Sequence, residues 1–473
     1  VYGVKMDGNE TLRYTYDAYG HRTKTEIKNS AGNWTSLGIM NYSTDGRLIS
    51  ANTDGTLYYY MYDENNNLKQ QYMSSWADFQ NNYIYDNLNQ LTRANIRARG
   101  VGTYTYTYDN GGNITSKNKY AYTTGELGEA LETITYEYGD AQWKDLLTKY
   151  NGQTITYDGI GNPLQYRDGM TMTWVNGRQL STVHKGSDVI SYTYNHDGIR
   201  TSKTVNGITT EYFLNGSTIV AEKTNGKMLT YLFDESGSRF GFTYEGNTYY
   251  YRYTPFGDVE AILDSTGNRV VSYYYDAWGD MVNVSGTMAS TIGALNPIRY
   301  RGYYYDAETG FYYLQSRYYD PTTCRFINAD EAIGINEDMA SYNLFAYCGN
   351  NPVNRIDETG LFWKALAETA LKIAAAVVVA VVATAVAFTG GAAAVVMTGT
   401  AAAIANTAAV AAVAAIYTAG AAVGTAIAAG IAEAGNNFVQ ASQKKSIQKE
   451  SGGTQTQLDA PAFFWPIPFS PTA

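Results

Sequence analysis

Two cysteines and three histidines in 473 residues leave little material for metal chemistry. Cys324 and Cys348 cannot build a disulfide framework, and no Cys/His spacing suits a zinc site. Both cysteines read as half-buried free thiols. His21, His184 and His196 are scattered and read as exposed turn residues. Nine prolines and 46 glycines exclude a collagen-like or proline-rich disordered chain. Positive charge is also short: 34 Lys and Arg stand against 44 Asp and Glu, a net charge of −10. That balance argues against a nucleic-acid partner held by phosphate attraction. No nucleophile elbow, P-loop or cofactor motif occurs, so no cofactor and no metal are expected.

What the chain has in excess is tyrosine, 45 copies against 15 Phe and 7 Trp. Tyrosine favours strands and suits sheets with one wet face. Tyr-Asp recurs at Tyr16-Asp17, Tyr62-Asp63, Tyr85-Asp86, Tyr108-Asp109, Tyr157-Asp158, Tyr275-Asp276, Tyr305-Asp306 and Tyr319-Asp320. Tyr62, Tyr85 and Tyr108 are spaced 23 residues apart. A fixed period near this length marks a repeat architecture. Each unit opens on alternating aromatics, as in Tyr104-Thr105-Tyr106-Thr107-Tyr108, which is strand periodicity. An Asp/Asn/Gly turn follows, as in Asp109-Asn110-Gly111-Gly112-Asn113, and a short strand resumes. The unit is a β-hairpin, and stacked hairpins predict a continuous sheet. The tyrosines read as structural; an aromatic carbohydrate-binding surface is a weaker reading.

The phrase Tyr-x-Tyr-Asp-x-x-Gly-Asn resembles the Rhs/YD repeat, and the resemblance covers about residues 10–361. Its most specific part is Ile298-Arg299-Tyr300-Arg301-Gly302-Tyr303-Tyr304-Tyr305-Asp306 with Arg317-Tyr318-Tyr319-Asp320-Pro321 and Arg325-Phe326-Ile327. This stretch is similar to the Rhs-associated core, with Cys324 where the family usually carries Gly. The resemblance implies a mainly β fold, a hairpin array forming part of a hollow spiral shell around a cargo. Val1 opens inside what reads as a repeat, and no signal peptide is visible, as expected of a C-terminal portion. The missing N-terminal remainder of the shell is then an expected partner.

The resemblance also implies self-cleavage in cis. The family's paired Asp elements match Asp330 and Asp357, and scission would fall between Leu361 and Phe362. Pro352 and Gly360 would position the motif. Two carboxyls brought together raise one pKa. One would act as base toward water and the protonated one would polarise the Leu361 carbonyl. This is single-turnover aspartic-type autoproteolysis, with Leu361 expected in an apolar pocket. Glu331 and Glu358 stand where the family usually has Pro.

Residues 362–473 are a different polymer. From Ile373 to Ala432 no side chain is charged, and nearly half are Ala. A membrane span needs about 20 apolar residues, so two or three helices would fit. Gly420-Ala421-Ala422-Val423-Gly424 is a pattern that permits close helix packing in lipid. The competing reading is an Ala-rich helical hairpin buried in protein. His, Cys and Arg are absent from 362–473, too little to build a typical nuclease or deaminase site.

Four segments follow: a repeat array at 1–297, a core with the cleavage motif at 298–361, an all-α Ala-rich hydrophobic segment at 362–434, and a polar to aromatic tail at 435–473. The main expectation is the C-terminal portion of a secreted or surface-delivered polymorphic toxin of bacterial competition. Its cargo would be its own C-terminal segment, its target a membrane, and an immunity protein a further partner. The alternative is an uncleaved structural or adhesive surface protein anchored by its C-terminal helices.

Overall fold

The structure, a computed structural model, describes residues 2–361 apart from 7–8, 54, 74–75, 98–100 and 332–341. They belong to one unit, 1–369; the second unit, 370–473, lies outside the described residues. The expected helical segment and tail fall there too. Among the described residues no helix is long and apolar enough to cross a membrane.

The repeat motif explains itself at the level of single bonds. In several units the Tyr hydroxyl donates to a backbone carbonyl at the start of an earlier repeat's strand. Tyr62 reaches Leu48 at 3.1 Å, Tyr85 reaches Leu68 at 2.8 Å, and Tyr108 reaches Leu91 at 2.6 Å. Tyr194 does the same to Leu180, and Tyr275 to Val259. Those carbonyl-bearing residues are buried, so each phenol ties one hairpin to the last while satisfying its own polar tip. The Asp builds the turn: its Oδ1 accepts the N–H four residues on, as Asp63 does from Asn67 at 2.8 Å and Asp109 from Asn113 at 2.9 Å. Between these turns run two-residue returns such as Asn206-Gly207 and Asn225-Gly226. Both residues of each have positive φ, the geometry that matches strand twist.

The result is an antiparallel meander in which each strand pairs with its sequence neighbours. The described residues form a fourteen-stranded sheet from β1 (Tyr2–Met6) to β14 (Gln153–Thr154). A second, also of fourteen, runs from β15 (Thr156–Tyr157) to β28 (Met281–Ser285). Both are open. The expected continuous sheet is thus divided, and the division falls at Ile155. Its N–H turns back to the Thr148 carbonyl at 2.8 Å and its side chain is buried, so it leaves the ladder on both sides. The sheets still meet elsewhere. Leu12, Tyr14 and Ile27 form one apolar cluster with Phe240, Tyr250 and Leu263, and the Tyr14 hydroxyl donates to Asp234 at 2.5 Å.

A third sheet of four short strands, β29 (Tyr304–Asp306) to β32 (Arg325–Phe326), comes from the core region. It is buried against the other two. The Tyr312 and Tyr319 hydroxyls donate to the Gly279 and Trp278 carbonyls of the second sheet's last turn. Arg325 donates to the Tyr138 hydroxyl and the Asp145 carbonyl on the first. Three ion pairs fix it. Arg167 grips Asp320 through two bonds of 2.6 and 2.8 Å. Arg200, itself fully buried, grips Asp306 at 2.6 and 3.2 Å, and Lys203 adds a contact at 3.1 Å. The rings of Tyr192, Tyr212, Tyr304, Tyr313 and Tyr318 surround the Arg200 guanidinium at 4.3 to 5.9 Å. Burial alone would push the Asp306 carboxyl up, but Arg200 and Lys203 hold it below the usual carboxylate range.

The cysteines and histidines depart from expectation in detail. Cys324 and Cys348 are free but fully buried, and burial pushes both thiols well up. His184 lies exposed within a strand, β18 (Gln179–Lys185), rather than on a turn. His21 occupies the turn position where other repeats carry Asn; its Nδ1 meets Asp17 Oδ2 at 2.9 Å.

Candidate functional site

Asp330 and Asp357 converge on one arginine. Arg317 Nη2 lies 2.9 Å from Asp330 Oδ2 and 3.4 Å from Asp357 Oδ2. All three side chains are buried, and the guanidinium lies over the Phe326 ring at 3.6 Å. Arg317 also binds the chain around the expected scissile bond. Its Nε donates to the Gly360 carbonyl and its Nη1 to the Leu344 carbonyl at 3.0 Å. Asp357 Oδ1 accepts the Leu361 N–H at 3.0 Å. One cation and one carboxylate thus hold the two residues before residue 362, which itself lies outside the described residues. Burial draws the Arg317 guanidinium below its ordinary value, against the upward pull of Asp330 and Asp357.

The expectation built on two carboxyls alone left this guanidinium out. A cation shared by both removes much of the repulsion that would force a proton onto one of them. The buried triad therefore offers a carboxylate base, a second carboxylate on the scissile segment, and a fixed positive group beside the Gly360 and Leu361 peptide units.

Each aspartate is tethered through its backbone, Asp330 by the core and the repeat array and Asp357 by core tyrosines. Asp330 N–H donates to the Leu344 carbonyl at 2.9 Å. Arg178 holds the preceding residue through the Ala329 carbonyl at 3.1 Å and reaches the Ile160 carbonyl at 2.8 Å. Asp357 N–H donates to the Tyr303 hydroxyl at 2.9 Å, which pairs with the Tyr347 hydroxyl at 3.0 Å.

Upstream of Asp357, the irregular core segment is bonded by successive repeat turns. Asn351 Nδ2 donates to Asn67 Oδ1 at 2.9 Å, Asn350 Nδ2 to Gln90 Oε1 at 2.8 Å, and Asn343 Nδ2 to Asn113 Oδ1 at 2.9 Å. Asn67, Gln90 and Asn113 are the equivalent fourth residue of three consecutive Tyr-Asp turns. Each spends its amide N–H on its own Asp and presents its oxygen to the core. Asn354 adds bonds to the Leu68 N–H and the Tyr85 hydroxyl.

The positioning residues hold their places by backbone. The Pro352 carbonyl accepts from Tyr300 at 3.2 Å and from Arg301. Gly360 has φ +75°, and a Cβ there would meet Ser316 Oγ at 2.5 Å and the Leu314 carbonyl at 2.9 Å. The Leu361 side chain is half-buried rather than enclosed. Sequence reasoning quoted Arg317 inside the core motif but gave it no role, and it assigned none to Arg178, Asn343, Asn350 or Asn351. Among the described residues no cluster of His, Cys, Asp and Glu could hold a metal ion.

Two open hairpin sheets packed against a buried C-terminal core define a YD-type β-shell protein. Residues 69–353 match the Teneurin YD-shell family model, more than half of the chain, and the chain belongs to that family. Among curated proteins it is 40% identical over 222 residues to the tRNA3(Ser)-specific nuclease WapA of Bacillus spizizenii, a match covering 45% of this chain and 9% of that one. It is 35% identical over 115 residues to the double-stranded DNA deaminase toxin A of Burkholderia cenocepacia, covering 24% of this chain and 8% of that one. Among solved structures, the TcdB2–TccC3–TEV crystal structure superposes with a TM-score of 0.55 at 21% identity, over 74% of this chain and 20% of that one. The Photorhabdus luminescens Tc holotoxin pore superposes with a TM-score of 0.53 at 20% identity, over 74% and 20%. The chain thus spans about a tenth of these curated relatives and a fifth of these structures. The shared fold is what the structural likeness carries.

Proposed function

We propose that this chain is the C-terminal part of a secreted toxin-type YD shell that cuts itself once, after Leu361, and frees residues 362–473. The observation that carries this reading is the placement of Asp330, Asp357 and Arg317 around the Gly360 and Leu361 peptide units. Asp330 takes a proton from water, and the hydroxide adds to the Leu361 carbonyl carbon. Arg317 and Asp357 hold the peptide in line. The proton passes to the residue 362 nitrogen as the C–N bond breaks, so the products are a Leu361 carboxylate and a new amino terminus at Phe362.

The freed segment is membrane-active in this reading, because its long uncharged run must be buried in lipid or protein. Residues 362–473 carry no His, Cys or Arg, so the nuclease and deaminase activities named for the two relatives are not proposed for this stretch. An immunity protein would protect the producing cell. Amino-terminal sequencing of the products, followed by liposome flotation of the smaller one, tests both halves. A fragment beginning at Phe362 that floats with lipid supports the reading. An intact chain would favour an uncleaved surface scaffold, and a cut, soluble fragment would remove the membrane half.

A further inference from the structure

Lys117 sits on β11 (Ile114–Tyr120) of the first sheet, and Asp276 follows β27 (Arg269–Tyr275) of the second. Lys117 Nζ lies 3.4 Å from Asp276 Oδ2, with side-chain exposures of 10% and 3%. Among the described residues this is the ammonium's one hydrogen-bonding partner, and 3.4 Å is long for a charge-assisted bond. The surroundings are aromatic. The Tyr104 ring is 5.4 Å from Nζ, and Tyr106 packs edge-on against the fully buried Trp278.

The turn is also unlike its siblings. At Asp63, Asp86, Asp109 and Asp158 the fourth residue on is Asn or Gln, whose amide donates to the Asp Oδ2. After Asp276 that position is Asp280, a carboxyl, and Asp276 Oδ2 meets Lys117 instead. Asp276 Oδ1 accepts the Trp278 and Asp280 N–H groups, each at 2.9 Å.

We propose that Lys117 and Asp276 condense to an intramolecular isopeptide bond that ties the first sheet to the second. Nζ attacks Asp276 Cγ, and the oxyanion forms at Oδ1 between the two backbone donors. Two protons leave the nitrogen, and Asp280 relays them in turn to Oδ2, which departs as water. An ammonium and a carboxylate become one amide and one water, so no oxidant or cofactor is required. Burial works against the ammonium, yet its neighbours, Cys324 and Asp276 first among them, raise it on balance, so the step needs a proton acceptor. Asp280 has that character, pushed up to about 6 by burial and then by Asp276. Exchange of two buried charges for a neutral amide removes their desolvation cost.

The pair Lys203 and Asp306 is the internal reference. Lys203 Nζ has two carboxylates, Asp306 at 3.1 Å and Glu308 at 2.9 Å, and Arg200 locks Asp306 as an ionised, poor electrophile. It stays an ion pair.

Intact mass of the full chain under denaturing conditions, with a tryptic map, tests the bond. The shell-bearing species should be lighter than its sequence by one water, and a branched peptide should join Lys117 to Asp276 while Lys203 and Asp306 peptides stay linear. Lys117→Arg should restore the full mass. If that variant fails to fold, Asp280→Asn, which installs the turn amide of the other repeats, should still abolish or slow the cross-link. Full mass with linear Lys117 and Asp276 peptides would overturn the proposal. So would water loss confined to the Asp276 peptide, the mark of a succinimide.

Discussion

The Asp357 carboxylate accepts the backbone N–H of Leu361 at 3.0 Å while its other oxygen faces Arg317 at 3.4 Å. The carboxylate proposed to hold the scissile peptide is therefore part of the loop that would be cut, folded back over four residues. Local geometry, not diffusion, sets its distance from the bond. Such an arrangement suits a reaction that happens once.

Gly360 should be the most sensitive position in that loop. Its φ of +75° and the 2.5 Å separation between Ser316 Oγ and the place a Cβ would occupy leave no room for an unstrained side chain. Gly360→Ala should reduce the single-turnover cutting rate at least about 100-fold, since misplacement by about 1 Å costs that much. The unfolding midpoint of the shell should move little, as measured by thermal denaturation beside a time course of fragment appearance.

The amide contacts between turns and core segment should behave as length-matched pairs. Gln90 is one methylene longer than Asn67 and Asn113, and it meets Asn350. Gln90→Asn alone should slow cutting, and Gln90→Asn with Asn350→Gln should restore it in part. Independent losses in the double variant, read by the same time course, would mean the pair does not set register.

Asp280 gives the shell a pH dependence with a defined sign. Its folded pKa is raised from the ordinary value of 3.8 to about 6, first by burial. The stability it contributes is complete below about 4 and is lost as pH rises through about 6. Between pH 7 and pH 5 the shell should gain on the order of 1 kcal/mol from this group. Burial acts whether or not Asp276 is bonded to Lys117. Asp280→Asn should flatten that slope in denaturant titrations at the two pH values.

Arg200 should be the costliest single loss in the third sheet's anchorage. Arg200→Met strands Asp306 in a fully buried site with Lys203 as its remaining cation. Breaking a buried pair in this way costs about 3–5 kcal/mol, and the urea midpoint should fall accordingly.

The hairpin array was legible in the sequence because its chemistry is local. Tyr62, Tyr85 and Tyr108 each bond one repeat back, and Asp63, Asp86 and Asp109 each bond within their own turn, so a short window carries the signal. That Asp330 and Asp357 lie near each other was an expectation of the family motif. Arg317 was not legible, because its partners Asp330 and Asp357 are distant in sequence and an arginine among tyrosines reads as surface charge. The Asn67–Asn351 contact spans more than half the chain, and nothing in either window announces it. The division at Ile155 was hidden too, since one buried Ile between short polar strands has no periodicity of its own. Lys117 and Asp276 each sit in an ordinary-looking repeat, and their meeting follows from how the two sheets approach.

Intact mass of the purified chain beside its Asp330→Asn and Asp357→Asn variants tests self-cleavage most directly. Cutting predicts a fragment ending at Leu361 in the parent and a single full-length species in both variants. A parent that stays whole, or variants that are cut as fast as the parent, would contradict the assignment of these carboxylates.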